Sequence, residues 1–361
     1  MTESTNISAS ADVMPVRSTH LFDEGALAGW MSANVEGFEG PITVRQFRGG
    51  QSNPTYLIAT PARTYVLRRQ PSGLLLKGAH AVDREALVQS ALTDTPVPVA
   101  RIYGMCRDPE AIGTMFYIME LVEGRIFWDA TFPDVGLAVR PEYFRAMNAT
   151  IAELHAVDAA SIGLGDFGRP TGYVERQIKR LSQQYVADTE AGRDPNMDRL
   201  IAWLEHAGPR NEGRASIVHG DFRCDNLIFH PTEPRIVAVL DWELSTLGHP
   251  LADFAYHAMM YRMPSHIVAG LAGADLAALN APSEQEYLAL YAERTGLSDR
   301  SDYDFFVAFS FFRVAAIIHG IKGRLARGTA ASPDAAERVK ALPELAELAW
   351  EQARRAGAPA L

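Results

Sequence analysis

The chain has 361 residues, 47% of them hydrophobic and 22% charged, an ordinary makeup for a globular protein long enough for two domains or a bilobal one. Its formal net charge of −10, from 34 basic against 44 acidic residues, argues against nucleic acid or an anionic membrane surface as the main partner. Cys106 and Cys224 are far apart and match no zinc or redox spacing, which fits a reducing, cytoplasmic setting.

Residues 1–22, polar at their start and lacking an apolar core segment, are expected to form a disordered tail rather than a signal peptide. No apolar run is expected to reach transmembrane length. Alternation over 42–47 predicts a strand, followed by R-G-G-Q-S-N-P and a second strand in T-Y-L-I-A. A strand, a glycine turn and a strand make a flap whose backbone N–H groups can approach an anion, so Gly49, Gly50, Ser52 and Asn53 are candidates for phosphate contact. T-Y-V-L-R-R at 64–69 predicts a third strand, and V-D-R-E-A-L-V, which contains Glu85, a helix. F-Y-I-M-E-L-V at 116–122 reads as a buried strand.

From Pro141 the apolar residues recur at three- and four-residue intervals, predicting a helix of about four turns that ends near His155, a packed histidine rather than a ligand. G-L-G-D-F-G at 163–168 imitates a dinucleotide fingerprint but follows a helix instead of a strand, so it is expected to be an irregular loop. Further helices are predicted at 173–185 and 197–207, and the most apolar one at 305–328, whose basic end holds Lys322, Arg324 and Arg327.

The stretch with the most chemistry is I-V-H-G-D-F-R-C-D-N-L-I-F-H followed by R-I-V-A-V-L-D-W-E. Its two short branched runs, 226–229 and 236–240, predict a hairpin with Asp221, Asn226 and Asp241 at its open end. These residue types suit phosphoryl transfer. One carboxylate accepts the proton of an attacking hydroxyl; an amide oxygen and a second carboxylate hold Mg²⁺, which prefers hard oxygen ligands and takes few from protein. The D-F-G within G-L-G-D-F-G also imitates a kinase triplet, but it precedes this loop.

H-G-D-x-x-x-x-N with a strand-ending Asp about fifteen residues on resembles the aminoglycoside phosphotransferase/choline kinase branch of the kinase-like fold, and Y-V-L-R looks like its acyl-CoA-dehydrogenase-associated subfamily. The resemblance implies an α+β, bilobal, protein-kinase-like fold: a small antiparallel-sheet N-lobe over 23–122 and a larger, mainly helical C-lobe over 123–361 that contains the catalytic loop. It implies Asp221 as base, Asn226 and Asp241 as metal ligands, and Arg223 as a cation able to neutralise the migrating phosphoryl group. Arg68 stands where the family usually has Lys and would pair with Glu85, with Lys77 a second candidate for nucleotide contact. Backbone groups of Glu120 to Val122 would meet the adenine, with Met119 at the back of the pocket. Asp253 would support the catalytic loop.

The implied function is ATP- and Mg²⁺-dependent phosphorylation of a small-molecule hydroxyl. Arg313 and the basic helix end would suit an anionic acceptor, such as a hydroxyacyl-CoA or related acid. The alternatives are an aminoglycoside kinase and a regulatory, nucleotide-binding pseudokinase, the latter suggested by the Arg at position 68. The expected partners are nucleotide and acceptor, with homodimer formation left open.

Overall fold

A computed structural model describes residues 5–7, 13–48, 53–73, 80–209, 213–330 and 334–359. Strands β1 (Thr5–Ile7) and β2 (Val13–Met14) precede helix α1 (Glu24–Asn34). Then come β3 (Thr43–Phe47), β4 (Thr55–Ala59), β5 (Thr64–Arg69), α2 (Val82–Leu92), β6 (Ile102–Cys106), β7 (Phe116–Glu120) and β8 (Gly124–Ile126). Helices α3 (Arg140–Ala156), α4 (Tyr173–Ala187) and α5 (Pro195–Ala207) lead to β9 (Ser216–Val218), β10 (Leu227–Phe229), β11 (Ile236–Val239) and β12 (Thr246–Gly248). The remaining helices are α6 (Pro250–Ala258), α7 (Glu284–Thr295), α8 (Tyr303–Ala326), α9 (Ala335–Lys340) and α10 (Leu342–Arg355).

The contacts divide the chain into two compact units. The first comprises Met1–Trp128, Ile162–Leu164 and Cys224–Ser245; the second comprises Asp129–Ser161, Gly165–Arg223 and Thr246–Leu361. The hairpin of β10 and β11 therefore groups with the N-terminal sheet instead of with the helical unit, and no single boundary falls at residue 122.

In the first unit an antiparallel sheet runs β2-β3-β4-β5-β7-β6. Alternation along β5 sends Tyr65 and Leu67 to the face covered by Leu27 and Met31 of α1. The other face carries Val66, packed with Val82 and Ala86 of α2. Arg68, two residues on from Val66, has the same parity and stands opposite Tyr117 in the β5–β7 register. A second sheet, β1-β8-β10-β11, buries Ile126, Ile228 and Ala238 together. The expected disordered tail is corrected here: Val13–Met14 pairs with β3, and Tyr56 donates to the carbonyl of His20.

The second unit is built from helices and the two-stranded β9–β12 ladder. Its central helix α8 is long and apolar enough to cross a membrane by length and composition, contrary to the expectation that no run would be. In the fold, 72% of that apolar window is buried inside the protein, and Phe306, Phe309, Phe311 and Phe312 are core residues. The segment 163–168 is irregular, as its context requires.

Candidate active site

In the first unit the sequence-predicted residues gather around Arg68. The Arg68 guanidinium places Nε 2.8 Å from Glu85 Oε2 and donates from Nη2 to Asp241 Oδ1, also at 2.8 Å. Burial works against the guanidinium's charge, but Glu85, Tyr117, Asp241 and Glu243 outweigh it, and its pKa is raised above the ordinary value. Glu85 is the group that yields: burial pushes its carboxyl up to about 7, against the lowering by Arg68 and by the hydrogen bond from Tyr117. Asn53 donates to Glu85 Oε1 at 2.8 Å, and Tyr117 donates to Oε2 at 3.2 Å.

Asn53 therefore departs from its expected role. It is fully buried, with its amide group committed to Glu85 and to the His80 ring, so it orients Glu85 rather than facing a ligand. Gly49, Gly50, Ser52 and Lys77 lie outside the described residues.

A cavity of about 320 Å³ opens beside this cluster, within the range of small-molecule sites. Val66, Met119, Leu121 and Ile228 give it an apolar wall, and Arg68, Glu85, Asn226 and Asp241 a polar one. Met119, Glu120 and Val122 all line it. The Glu120 N–H, however, is spent on the carbonyl of Arg101. Asp225, not among the expected ligands, lines the same cavity; its position one residue before Asn226 is the signal the sequence offers. A roomier cavity of about 590 Å³ between α4 and α5 contains none of the predicted residues.

Asp241 ends the hairpin in a left-handed conformation, φ 61° and ψ 63°, one that short polar side chains tolerate best. Arg68 takes Oδ1, while Oδ2 accepts no hydrogen bond from the described residues. Asn226 and Asp241 both line the cavity beside Arg68, and an amide and a carboxylate are hard oxygen donors. Among the described residues no group of three or more His, Cys, Asp or Glu could enclose a metal. That donor set fits Mg²⁺, which keeps waters and phosphate oxygens as its other ligands, and does not fit a structural metal cage.

In the second unit the β9–β12 ladder ends where the H-G-D loop begins. Gly220 turns the chain at φ 86°, a conformation open to glycine and strained for other residues. Asp253 of α6, 2% exposed, accepts the N–H groups of both His219 and Gly220 at 2.8 Å. His155 Nε2 lies 3.2 Å from the same carboxylate, and its Nδ1 2.7 Å from the Tyr291 hydroxyl. Burial alone would raise the Asp253 pKa; the His155 and His219 contacts overcome it and leave it lowered. The supporting role expected of Asp253 and the packed role expected of His155 are thus one network.

Asp221 follows directly. Tyr256 donates to its Oδ1 at 2.8 Å, and Arg223 places Nε 3.4 Å from the same oxygen. Arg313 is buried and donates to the Gly220 carbonyl at 2.8 Å. Arg327 is held by Asp188 at 2.6 Å, so the basic helix end expected to meet an acceptor is partly committed within the fold.

The model of the phosphotransferase enzyme family matches residues 43–297. Acyl-CoA dehydrogenase family member 10 of Mus musculus is 41% identical over 346 residues, which are 95% of this chain and 32% of that protein. The chain spans under half the length of the curated relatives it matches. A crystal structure from Ralstonia eutropha JMP134, described as that of a candidate aminoglycoside phosphotransferase, is 47% identical with a TM-score of 0.85, covering 93% of this chain and 99% of that one. A thermostable mutant of aminoglycoside phosphotransferase APH(4)-Ia, in ternary complex with ADP and hygromycin B, has a TM-score of 0.56 at 14% identity, covering 92% and 98%. The fold is the expected α+β, kinase-like one, and the chain belongs to the phosphotransferase enzyme family.

Proposed function

We propose that this member of the phosphotransferase enzyme family transfers the γ-phosphoryl group of ATP to the hydroxyl of a small, anionic molecule. The observation that carries the reading is Arg68 joined to both Glu85 and Asp241 at the wall of one cavity. A buried cation beside a carboxylate and an amide oxygen is what nucleotide phosphates and their metal ion require. The ADP of the APH(4)-Ia complex supports a nucleotide as the occupant by likeness of fold.

In this reading Met119 and Leu121 enclose the base, and Arg68, held by Glu85 and Asp241, turns its remaining guanidinium N–H groups to phosphate oxygens. Asn226 and Asp241 hold Mg²⁺, which neutralises charge on the phosphates when bound. Asp221 accepts the acceptor's proton, and Arg223 balances the charge of the group in transit. A hydroxyacyl-CoA or related acid is the acceptor class we favour, supported by the acyl-CoA chemistry in the name of the mouse relative. Aminoglycoside phosphorylation is the competing reading, carried by the likeness to the Ralstonia protein and the activity ascribed to it.

Thermal shift of the wild type and Asp241→Ala with Mg-ATP, Mg-GTP and Mg²⁺ alone tests the site. A ligand that binds only the folded state raises the melting temperature by mass action. We expect a shift that needs both nucleotide and Mg²⁺ and vanishes in the variant. No shift at millimolar nucleotide would reject nucleotide binding altogether. A shift without any phosphate transfer to hydroxyacyl-CoAs or aminoglycosides would favour the pseudokinase.

A further inference from the structure

The backbone and side chain of the H-G-D loop are held by separate devices. On α6, Asp253 and Tyr256 lie three residues apart and so share one face of the helix. Asp253 fixes the main chain through His219 and Gly220. Tyr256, 4% exposed, donates to Asp221 Oδ1 at 2.8 Å. The guanidinium of Arg313 lies 4.6 Å above the Tyr256 ring centre, while its Nη2 holds the Gly220 carbonyl at 2.8 Å. Ring, carboxylate and loop backbone are thereby tied to α8 as well as to α6.

We infer that Tyr256, backed by Arg313, is a positioning residue that sets the orientation in which Asp221 meets the acceptor hydroxyl. The inference rests on the reading of Asp221 as the base. A carboxylate turns easily about its terminal bond, so a buried donor on one oxygen selects which face it presents. Burial and the adjoining Asp221 charge raise the Tyr256 pKa well above the ordinary phenol value, so the hydroxyl remains a donor throughout the working range. A tyrosine retained only for packing would need its ring and not its oxygen; here the oxygen is spent on Asp221.

The experiment compares wild type, Tyr256→Phe, Asp221→Asn and the double variant by hydrolysis of Mg-ATP with water as acceptor, alongside urea unfolding. Phe keeps the ring beneath Arg313 and removes one oxygen. We expect kcat to fall about 10- to 100-fold, the worth of a hydrogen bond to a charged group, with KM for Mg-ATP unchanged and the unfolding midpoint little moved. In the Asp221→Asn background the same change should have no further effect. Wild-type kcat in Tyr256→Phe, with Asp221→Asn inactive, would overturn the inference and leave the base intact. Full turnover in Asp221→Asn would overturn the underlying reading and the inference with it.

Discussion

Arg68 and Asp241 are 173 residues apart in the chain and share a hydrogen bond of 2.8 Å. The same guanidinium pairs with Glu85, so one side chain joins a strand, a helix and the end of the β10–β11 hairpin. Arginine can do this because its planar fork presents several donors in fixed directions; lysine offers a single ammonium on a flexible stem.

Arg68→Met should therefore destabilise the protein by roughly 3–5 kcal/mol, because it strands the nearly inaccessible Glu85 carboxylate without its partner. Arg68→Lys should cost less, keeping the charge at Glu85 while losing the reach to Asp241. Urea denaturation of the two variants measures the difference. Equal stability of Arg68→Met and wild type would mean that the bridge contributes nothing to folding.

Glu85 makes stability depend on pH in the direction opposite to most carboxylates. Its folded pKa, near 7, lies above the roughly 4.3 of an exposed glutamate, so between those values the folded state binds more protons than the unfolded one. Stability from this group is full at the acid end of the window and is lost as pH rises through it, at no more than roughly 1.4 kcal/mol per pH unit. Glu85→Gln should remove that slope. Unfolding free energies of the wild type and Glu85→Gln at several pH values from 5 to 8 should converge at the acid end and separate at the alkaline end; parallel curves would refute the prediction.

Legibility from sequence followed how local each feature is. Asp221, Asn226 and Asp241 could be found because loops of fixed length tie them to two short strands, and the observed β10 and β11 fall within the runs that predicted them. The Arg68–Glu85 pair came from resemblance, and the antiparallel register supplied its physical reason. Asn53 misled because an amide that supports a carboxylate has the same composition as one that meets a ligand; only burial separates the two. Val13–Met14 is too short to show periodicity, and its strand exists through pairing with β3. Tyr256 was hidden for another reason. Its meaning depends on Arg313, on an almost wholly apolar helix whose packing faces no three- or four-residue pattern distinguishes.

Asp253 offers the strongest test of how the catalytic loop is built. Its carboxylate accepts two buried backbone N–H groups and faces His155, so Asp253→Ala would leave the N–H groups of His219 and Gly220 unsatisfied. Each buried donor without a partner costs about 1–3 kcal/mol, so a loss of roughly 2–6 kcal/mol is expected for the pair. Asp253→Asn keeps one acceptor oxygen and should lose less than Asp253→Ala, though not nothing, since its amide cannot accept both backbone N–H groups. Hydrogen exchange adds a local reading to the urea curve: the amides of His219 and Gly220 should lose protection in Asp253→Ala, more than those in the β9–β12 ladder. Unchanged protection at both amides would show that the loop holds its shape without Asp253.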